Sequence, residues 1–475
     1  MFNLNKINDF EYELPKTGNM KVPGKIYINE KLLSAFSDSE PLKQVSNVAS
    51  LPGIIKNSIA MPDIHLGYGF PIGGVAAFDY DRGIISPGGV GYDINCGVTL
   101  IKTSFNYNDI NNKIKDLINE IYKKVPSGID IKGGFKINNN DMRDILSSGI
   151  DWAYKNGYAI EDDKIRTEEN GKLECDSYKV SEKALKRGIN ELGTLGGGNH
   201  FLEIQKVDKI YNKEVAKKFG INNEDQIMIM VHTGSRGLGH QVATDFMNIL
   251  NESCDSVRNE NDKQLISTYI GSKNGSDYIN AMNAAANFGF NNRQIIVYKI
   301  RNAFENIFGK DFESMNIKIV YSLAHNMAKT EEHIIDGKKM KLIVHRKGAT
   351  RAFPKDHLNG YFHDTGHPVI IPGSMGTASY VLVGTENNIN STFGSSCHGS
   401  GRVLSRKKSN EYFQGNNVIS KLADKNIYLR AATKKVITEE SPDSYKDIDE
   451  VINVVNGAGI ANPIARMVPL GVMKG

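Results

Sequence analysis

The chain has 475 residues and a mass of 52.5 kDa, so it is long enough to bury a large core. Its 58 basic and 54 acidic side chains leave a formal net charge of +4, which permits an anionic partner without requiring one. Four widely spaced cysteines argue against a disulfide framework and predict a reducing, cytoplasmic setting. We expect no membrane association, because there is no apolar run of about 18 residues and no signal-peptide pattern.

Two glycine-rich segments follow the mixed strands and turns predicted for residues 1–60. The first, residues 61–77, contains Asp63 and His65, and its pattern fits a packed turn as well as a functional loop. The second, residues 88–98, places Asp93 three residues before Cys96 among glycines that permit tight turns. A carboxylate and a thiol on one turn could bind the same cation. The alternative is a buried turn in which the cysteine is a small apolar residue.

Helices are predicted next. Apolar side chains recur at three- and four-residue steps from position 108 to Pro126, and a second helix is predicted over about 140–156. Residues 160–180 are predicted to form an exposed loop, after which Ser181 could cap a third helix that ends near Leu192. Residues 241–316 are predicted to be mostly helical. We therefore expect helical insertions at about 105–190 and 240–316.

Three histidines each follow or adjoin a glycine-rich loop or the end of a predicted strand. His200 follows three consecutive glycines, His232 ends an apolar run, and His325 lies four residues beyond another. Loops held by a rigid scaffold are where binding sites are often built. Further along, the Asp336-Gly337 pair between two apolar runs predicts a β-hairpin.

The remaining candidate residues lie in later loops. Residues 372–379 form a loop rich in backbone N–H groups and hydroxyls, which could bind phosphates. His398 lies between small residues, and a neutral imidazole can act as a nucleophile. Basic side chains could contact further phosphates through their charge, or could simply form a solvated surface. These basic candidates are Arg236, Arg346, Lys347, Arg351 and Arg402.

Asp93, Cys96, His200, His232 and His325 together supply one carboxylate, one thiolate and three imidazoles. A thiolate can bridge two cations, so this set could bind a metal pair with open positions, as catalytic sites do. The alternative is that each histidine is an ordinary core or surface residue. Ligand softness favours zinc over manganese here. Because the candidates extend along most of the chain, we predict one large folding unit, residues 1–475.

These motifs resemble the RtcB family of GTP- and manganese-dependent RNA ligases over nearly the whole chain. The matching segments are residues 61–67, 88–98, 196–200, 232–239, 324–326, 345–354, 372–379, 398–402 and 474–475. One departure is Ser400, where alanine is common in the family; serine is small enough to be tolerated. The resemblance implies the family's own α/β (α+β) fold, a single large domain with mixed sheets around a central cleft.

The resemblance also implies roles for individual residues. Asp93, Cys96 and His200 would bind one Mn²⁺, and Cys96, His232 and His325 the other. His398 would attack the α-phosphate of GTP and become guanylylated. The guanine nucleotide would be surrounded by Asn199, Asn326, Pro372, Gly373, Ser374, Met375, Ser379, His398, Gly399, Ser400, Gly401 and Lys474.

The implied reaction joins a 2′,3′-cyclic phosphate or 3′-phosphate RNA end to a 5′-hydroxyl end, with tRNA halves or other cleaved RNA as substrates. An archease-type activator is a partner of some relatives, and we expect a monomer. Two alternatives remain open from the residues alone. One is a dinuclear metal-dependent phosphohydrolase or nuclease, and the other is a non-catalytic RNA-binding module with a structural metal site.

Overall fold

A computed structural model describes residues 3–34, 39–129, 131, 133, 135 and 137–475. The strands in this part of the chain are β1 (Asn5–Asn8), β2 (Glu11–Leu14), β3 (Gly24–Tyr27), β4 (Ile54–His65), β5 (Ile72–Asp79), β6 (Ile84–Ile85), β7 (Gly97–Asn106), β8 (Phe201–Ile210), β9 (Gln226–Thr233), β10 (Ser256–Asn259), β11 (Asp262–Tyr269), β12 (Lys318–Ala324), β13 (Asn326–Ile335), β14 (Lys338–Lys347), β15 (Ala349–Arg351), β16 (Pro368–Ile371), β17 (Ser379–Gly384), β18 (Ser395–Cys397), β19 (Tyr428–Ala431) and β20 (Ala461–Lys474).

The α-helices are α1 (Glu30–Ser34), α2 (Glu40–Val48), α3 (Pro87–Val90), α4 (Tyr107–Ile110), α5 (Ile114–Lys124), α6 (Asn139–Ser148), α7 (Ile150–Lys155), α8 (Glu161–Ile165), α9 (Glu182–Gly188), α10 (Lys213–Phe219), α11 (Arg236–Glu252), α12 (Lys273–Phe308), α13 (Glu386–Thr392), α14 (Arg406–Tyr412), α15 (Gly415–Asp424), α16 (Lys434–Glu439) and α17 (Ile448–Gly457). Short 3₁₀ turns occur at Asn111–Lys113, Glu168–Gly171, Ser177–Lys179 and Pro442–Ser444. None of the described helices combines the length and apolar character needed to cross a bilayer.

Two large sheets organise the described chain. The first runs β1-β2-β3-β4-β5-β14-β13, and the second runs β12-β7-β9-β8-β20-β17-β16, with β19 beside β20. Most neighbours are antiparallel, whereas β3–β4 and β19–β20 are parallel. Two smaller sheets are β10-β11-β6 and β15-β18. The predicted α/β class with mixed sheets is therefore confirmed, whereas a single domain over residues 1–475 stays a prediction.

The second sheet is buried on both faces, which explains why its central strand is apolar at successive positions. Ile227, Ile229 and Val231 on β9 pack with side chains of α5 and α12. Met228 and Met230, which point the other way, belong to a separate core cluster. Packing on both faces of the sheet therefore fixes the end of β9 and the start of the loop that follows it.

The structure agrees with some predicted elements and differs at others. The hairpin at Asp336-Gly337 is confirmed, since both residues have positive φ angles of 51° and 77° and connect β13 to β14. The segment 241–316 differs, because the β10–β11 hairpin interrupts its helices and pairs with β6. Because β11 pairs with a strand about 180 residues earlier, the local spacing of apolar residues does not predict this pairing. Residues 160–180 also include α8 and the buried Glu168, not only exposed loop.

Candidate metal centre and nucleotide cleft

Strand register brings four sequence-distant residues to one place. In the second sheet, Val98 and Phe201 both pair with His232, so Cys96 and His200 each lie just before a strand beside β9. On the other side of β7, Gly97 pairs with Ala324, which places His325 next to Cys96. The backbone N–H of His325 donates to the carbonyl of Cys96 at 2.8 Å.

The five predicted metal ligands form two clusters that share Cys96. One contains Asp93, Cys96 and His200, and the other contains Cys96, His232 and His325, with the ligand atoms of each set within 4.8 Å of one another. Cys96 Sγ lies 3.5 Å from His200 Nε2 and 3.3 Å from His232 Nε2. His232 Nε2 lies 3.2 Å from His325 Nε2, and His200 Nε2 lies 2.9 Å from Asp93 Oδ2.

The chemistry of these donors fits a pair of divalent cations. Burial lowers the pKa of His232 and of His325 well below the usual range, so both imidazoles are neutral and carry a free lone pair. Burial raises the pKa of the Cys96 thiol, and a bound cation would reverse that shift by stabilising the thiolate. Among the described residues, the buried Asp93 Oδ2 has no polar partner besides His200 Nε2. A cation bound at each cluster would supply the partner that these donor atoms lack.

His398 lies beside this centre with one ring nitrogen already engaged. Its Nδ1 lies 2.6 Å from Asp63 Oδ2, which also accepts the His398 backbone N–H at 3.2 Å. Because Asp63 is fully buried, it fixes the tautomer and orientation of the imidazole and leaves Nε2 as the free nitrogen. The His398 and His325 rings are 4.8 Å apart, edge to face.

Two glycines allow the close approach of the loops around this pair. Gly401 has φ +72°, and a Cβ there would lie 2.1 Å from the Asp63 carbonyl oxygen. Gly348 has φ +61°, and a Cβ there would lie 2.9 Å from Cε1 of the His398 ring. A larger residue at Gly401 would push its loop away from Asp63, and one at Gly348 would displace the His398 ring.

A cavity of about 670 Å³ opens over the centre, a volume that suits a nucleotide-sized ligand. Its lining includes four of the five metal-ligand candidates, His398, and most of the predicted nucleotide contacts. The predicted residues that line it are Asp93, Cys96, Asn199, His232, His325, Asn326, Lys347, Pro372, Gly373, Ser374, Met375, His398, Gly399, Ser400, Gly401, Arg402 and Lys474. His200 lies behind Asp93, within its cluster.

The predicted Ser379 lies just beneath the nucleotide loop, outside the lining. Its hydroxyl accepts from the backbone N–H of Gly373 at 3.2 Å and from Gln205 Nε2 at 3.1 Å. Gln205 also donates to Glu203 at 2.6 Å. Glu203 shares its strand face with Phe201, which lines the cavity. Burial raises the pKa of Glu203 to about 7.

The five basic candidates occupy different environments. Lys347 lines the cavity and donates to the carbonyls of Gly88, at 2.9 Å, and Tyr68, and burial lowers its pKa to about 7. Arg402 also lines the cavity, but its Nη1 is 3.2 Å from Glu440. Arg236 lies below the centre, where its backbone N–H donates to Asp93.

Arg346 and Arg351 are placed away from the cavity lining. Both are held by carboxylates: Arg346 by Glu331, at 2.6 and 2.9 Å, and Arg351 by Glu169, at 2.7 Å. These guanidinium groups therefore act as internal ion-pair partners in this structure. Contact with a phosphate would require them to leave those carboxylates.

Asp63, Glu203 and Glu440 are site residues that the sequence did not single out as such. The sequence places Asp63 in a segment that fits a packed turn as well as a functional loop, and it does not connect Asp63 to His398, which lies 335 positions later. Glu440 is buried and contacts Arg402, Arg406 and Lys474, which connects the last strand to the cleft. A buried acid within an otherwise ordinary segment gives no sequence signal without knowledge of its neighbours.

The mixed sheets and the paired Cys/His/Asp clusters define an α/β protein with a candidate dinuclear metal centre and an adjoining nucleotide-sized cleft. The family model described as tRNA-splicing ligase RtcB matches residues 44–475. The chain is 50% identical to tRNA-splicing ligase RtcB of Thermococcus kodakarensis, over 100% of this chain and 99% of the relative. It is 48% identical to the protein of that name from Archaeoglobus fulgidus, over 99% of each. The chain belongs to the RtcB family.

Proposed function

We propose that this protein is a GTP- and Mn²⁺-dependent RNA ligase that joins a 3′-phosphate or 2′,3′-cyclic phosphate end to a 5′-hydroxyl end. The observation that carries the proposal is the buried Asp63–His398 pair, whose free Nε2 faces a cavity shared with two metal-capable clusters. The names of the relatives, tRNA-splicing ligase, support RNA as the substrate.

In the first step, the lone pair of His398 Nε2 attacks the α-phosphorus of GTP. A P–N bond forms, the bond from the α-phosphorus to the bridging oxygen breaks, and diphosphate leaves. Asp63 accepts the Nδ1–H hydrogen bond and so stabilises the positive charge that develops on the ring. The result is guanylylated His398.

In the second step, an oxygen of the RNA 3′-phosphate attacks the same phosphorus and breaks the P–N bond, so GMP moves to the RNA end. A 2′,3′-cyclic phosphate is first opened by water. The 5′-hydroxyl of the other RNA then attacks the 3′-phosphate, a phosphodiester forms, and GMP leaves. Transfer of GMP to the RNA end therefore gives the 3′-phosphate a good leaving group, GMP, in place of a poor one.

Two Mn²⁺ ions at the Asp93/Cys96/His200 and Cys96/His232/His325 clusters would neutralise phosphate charge and polarise the reacting oxygens. Nucleotide positioning falls to Asn199, Asn326, Lys474 and the 372–375 loop, which line the same cavity. Among the other predicted nucleotide contacts, Gly399 to Gly401 line the same cavity. Ser379 supports the 372–375 loop by accepting from the backbone N–H of Gly373.

Glu203 accounts for a preference for guanine. A carboxylate can accept the two adjacent N–H donors of guanine even where one oxygen, as in Glu203, also accepts from Gln205, because each oxygen has two lone pairs; adenine offers no such pair of donors. A buried acceptor left without its donors disfavours the wrong base. The position of Glu203 beneath the nucleotide loop supports this role.

The RNA ends would come from tRNA halves or other cleaved RNA, in the cytoplasm, with the protein acting as a monomer. An archease-type activator would be a partner, as it is for some relatives. The competing function is a dinuclear phosphohydrolase or nuclease, which the five ligands alone would equally permit. A hydrolase, however, has no use for the orientation of His398 by Asp63.

Guanylylation is the test that separates these functions. The protein is incubated with α-labelled GTP and Mn²⁺, or with Zn²⁺ in place of Mn²⁺, and acid-labile label on the protein is measured. We expect labelling of the wild type and none of His398→Ala. A matched control is His357→Ala, because His357 is an exposed histidine bonded to Glu386 and should label normally.

Equal labelling of wild type and His398→Ala, or no label with either metal, would contradict the ligase mechanism. Joining is then measured with one RNA that ends in a 3′-phosphate and one that begins with a 5′-hydroxyl. A protein that labels on His398 but never joins these ends would refute the assignment of RNA as the acceptor.

A further inference from the structure

The positive charge of the protein is concentrated in one segment. Residues 402–446, here called the basic lobe, contain ten basic and five acidic side chains, a net charge of +5. The whole chain carries 58 basic and 54 acidic side chains, a net charge of +4. The other 430 residues therefore carry a net charge of −1.

The basic lobe is a built part of the fold that forms one wall of the cleft. Helices α14, α15 and α16 and strand β19 enclose a small core that includes Val418, Leu422 and Val436. Met375 of the nucleotide loop and Val472 of the last strand belong to the same core. The lobe is thus fixed against both elements that surround the proposed nucleotide.

Several cations of the lobe are bound internally. Arg402 and Arg406 contact Glu440, Lys421 contacts Asp443 at 2.9 Å, and Lys435 contacts Glu439 at 3.4 Å. Lys407 and Lys408 differ, because their side chains make no hydrogen bond or ion pair within the described part of the chain. Both are exposed.

Helix α14 displays Lys408 beside the cavity, and Lys407 is the preceding exposed residue of the same helix. Its inner face is anchored by the buried Ser409, which bonds to Ser444 at 2.7 Å and receives Arg402 at 3.2 Å. Lys408 lines the cavity. Tyr412 follows Lys408 by one helical turn, so the two share a face, and Tyr412 is 70% exposed.

We propose that Lys407, Lys408 and Tyr412 bind the single-stranded RNA that enters the cleft. The lysines would contact its phosphates and Tyr412 would stack on a base. This inference rests on the proposed function, which requires RNA ends in the same cavity. An unpaired cation pair next to an exposed aromatic ring is the combination that holds single strands without reading their sequence.

Direct RNA binding tests the proposal independently of catalysis. The probe is a short single-stranded RNA with a 3′-phosphate and an internal fluorophore, and its anisotropy is followed with the full-length protein over a range of salt concentrations. We expect Lys407→Gln/Lys408→Gln to raise the Kd by about 10-fold at low salt and to reduce the salt slope by about 1.4, from two lost phosphate contacts. Tyr412→Ala should raise the Kd without changing that slope.

The matched control removes two lysines from another exposed helix. Lys213→Gln/Lys217→Gln changes α10, which does not line the cavity, and should bind RNA like the wild type. Equal losses in both double variants, or none in either, would overturn the proposal. It would also be overturned if RNA affinity were unchanged while polyglutamate binding were lost, because the surface would then fit an acidic protein.

The two proposals fail in different ways. If His398 is labelled by GTP but the α14 variants bind RNA normally, the ligase function stands and this surface does not bind RNA. If the α14 variants lose RNA binding but His398 is never labelled, the surface binds RNA and the ligase mechanism is wrong.

Discussion

Two buried polar regions of this protein lie next to each other, and they differ in how their charges are compensated. In the first, three cations face three carboxylates: Lys329 contacts Glu168 at 2.6 Å, Arg351 contacts Glu169, and Arg346 contacts Glu331. In the second, which contains Cys96, His398 and their neighbours, buried atoms of Asp63, His200 and His325 have no hydrogen-bond partner among the described residues. Among the described residues of the first region, Arg351 Nε lacks a hydrogen bond but lies 3.3 Å from Glu168, so its charge is compensated, whereas the second region is short of partners.

Successive residues of strand β14 divide between these two regions. Arg346 points to the ion-pair network, and Lys347 points to the cleft, because side chains alternate along a strand. Buried polar groups are normally bonded, so unbonded ones indicate a missing ligand. The comparison therefore predicts that substitutions in the second region remove activity, and that substitutions in the first reduce stability.

Cys96→Ala should have the largest effect, because Cys96 belongs to both metal clusters. We expect guanylylation of His398 and RNA joining to fall by at least about 10⁴-fold, since a two-metal centre would lose the ligand that both ions share. The Mn²⁺ content, measured on the purified protein, should fall with the activity. Cys254→Ala is the control, because that cysteine is exposed.

A Cys96→Ala variant that is still guanylylated at the normal rate would show that the two clusters do not act through a shared thiolate. Loss of activity together with loss of folding would also contradict the comparison. The melting temperature without added metal should therefore change little.

Asp63→Asn should have an intermediate effect. The amide keeps the size of the side chain but can donate to Nδ1, which favours the tautomer with its proton on Nε2 and blocks the nucleophile. We expect guanylylation to slow by about 10³-fold, with GTP binding and metal content retained. Fast labelling in Asp63→Asn would mean that Asp63 serves only to pack the loop around Gly401.

The sequence was sufficient to predict the five residues that form the two metal-capable clusters, but not the environment of the charges. Cys96 and His232 could be recognised because each adjoins glycines at the end of an apolar run. The contact between Asp63 and His398 could not, since it depends on how β4 and β18 come together. The different positions of Arg346 and Arg351 relative to Lys347 depend on carboxylates from β13 and from residues 168–169, which no local pattern connects to β14.

Glu169→Gln, in the ion-pair network, should have the smallest effect of the three and should act on stability alone. Arg351, and then Lys329, lower the pKa of Glu169 from 4.5 to about 2. A carboxyl group with a depressed pKa in the folded state stabilises that state fully above its unfolded pKa, and this contribution is lost as the pH falls towards the folded value. We expect the variant to be about 2 kcal/mol less stable at pH 7, with the difference shrinking below pH 4.5.

Urea unfolding at several pH values measures this difference in stability. Glu332→Gln is the control, because its exposed pair with Lys339 contributes little. A gap that stays constant from pH 7 to pH 3, or a loss of His398 labelling in the folded variant, would contradict the division between the two regions.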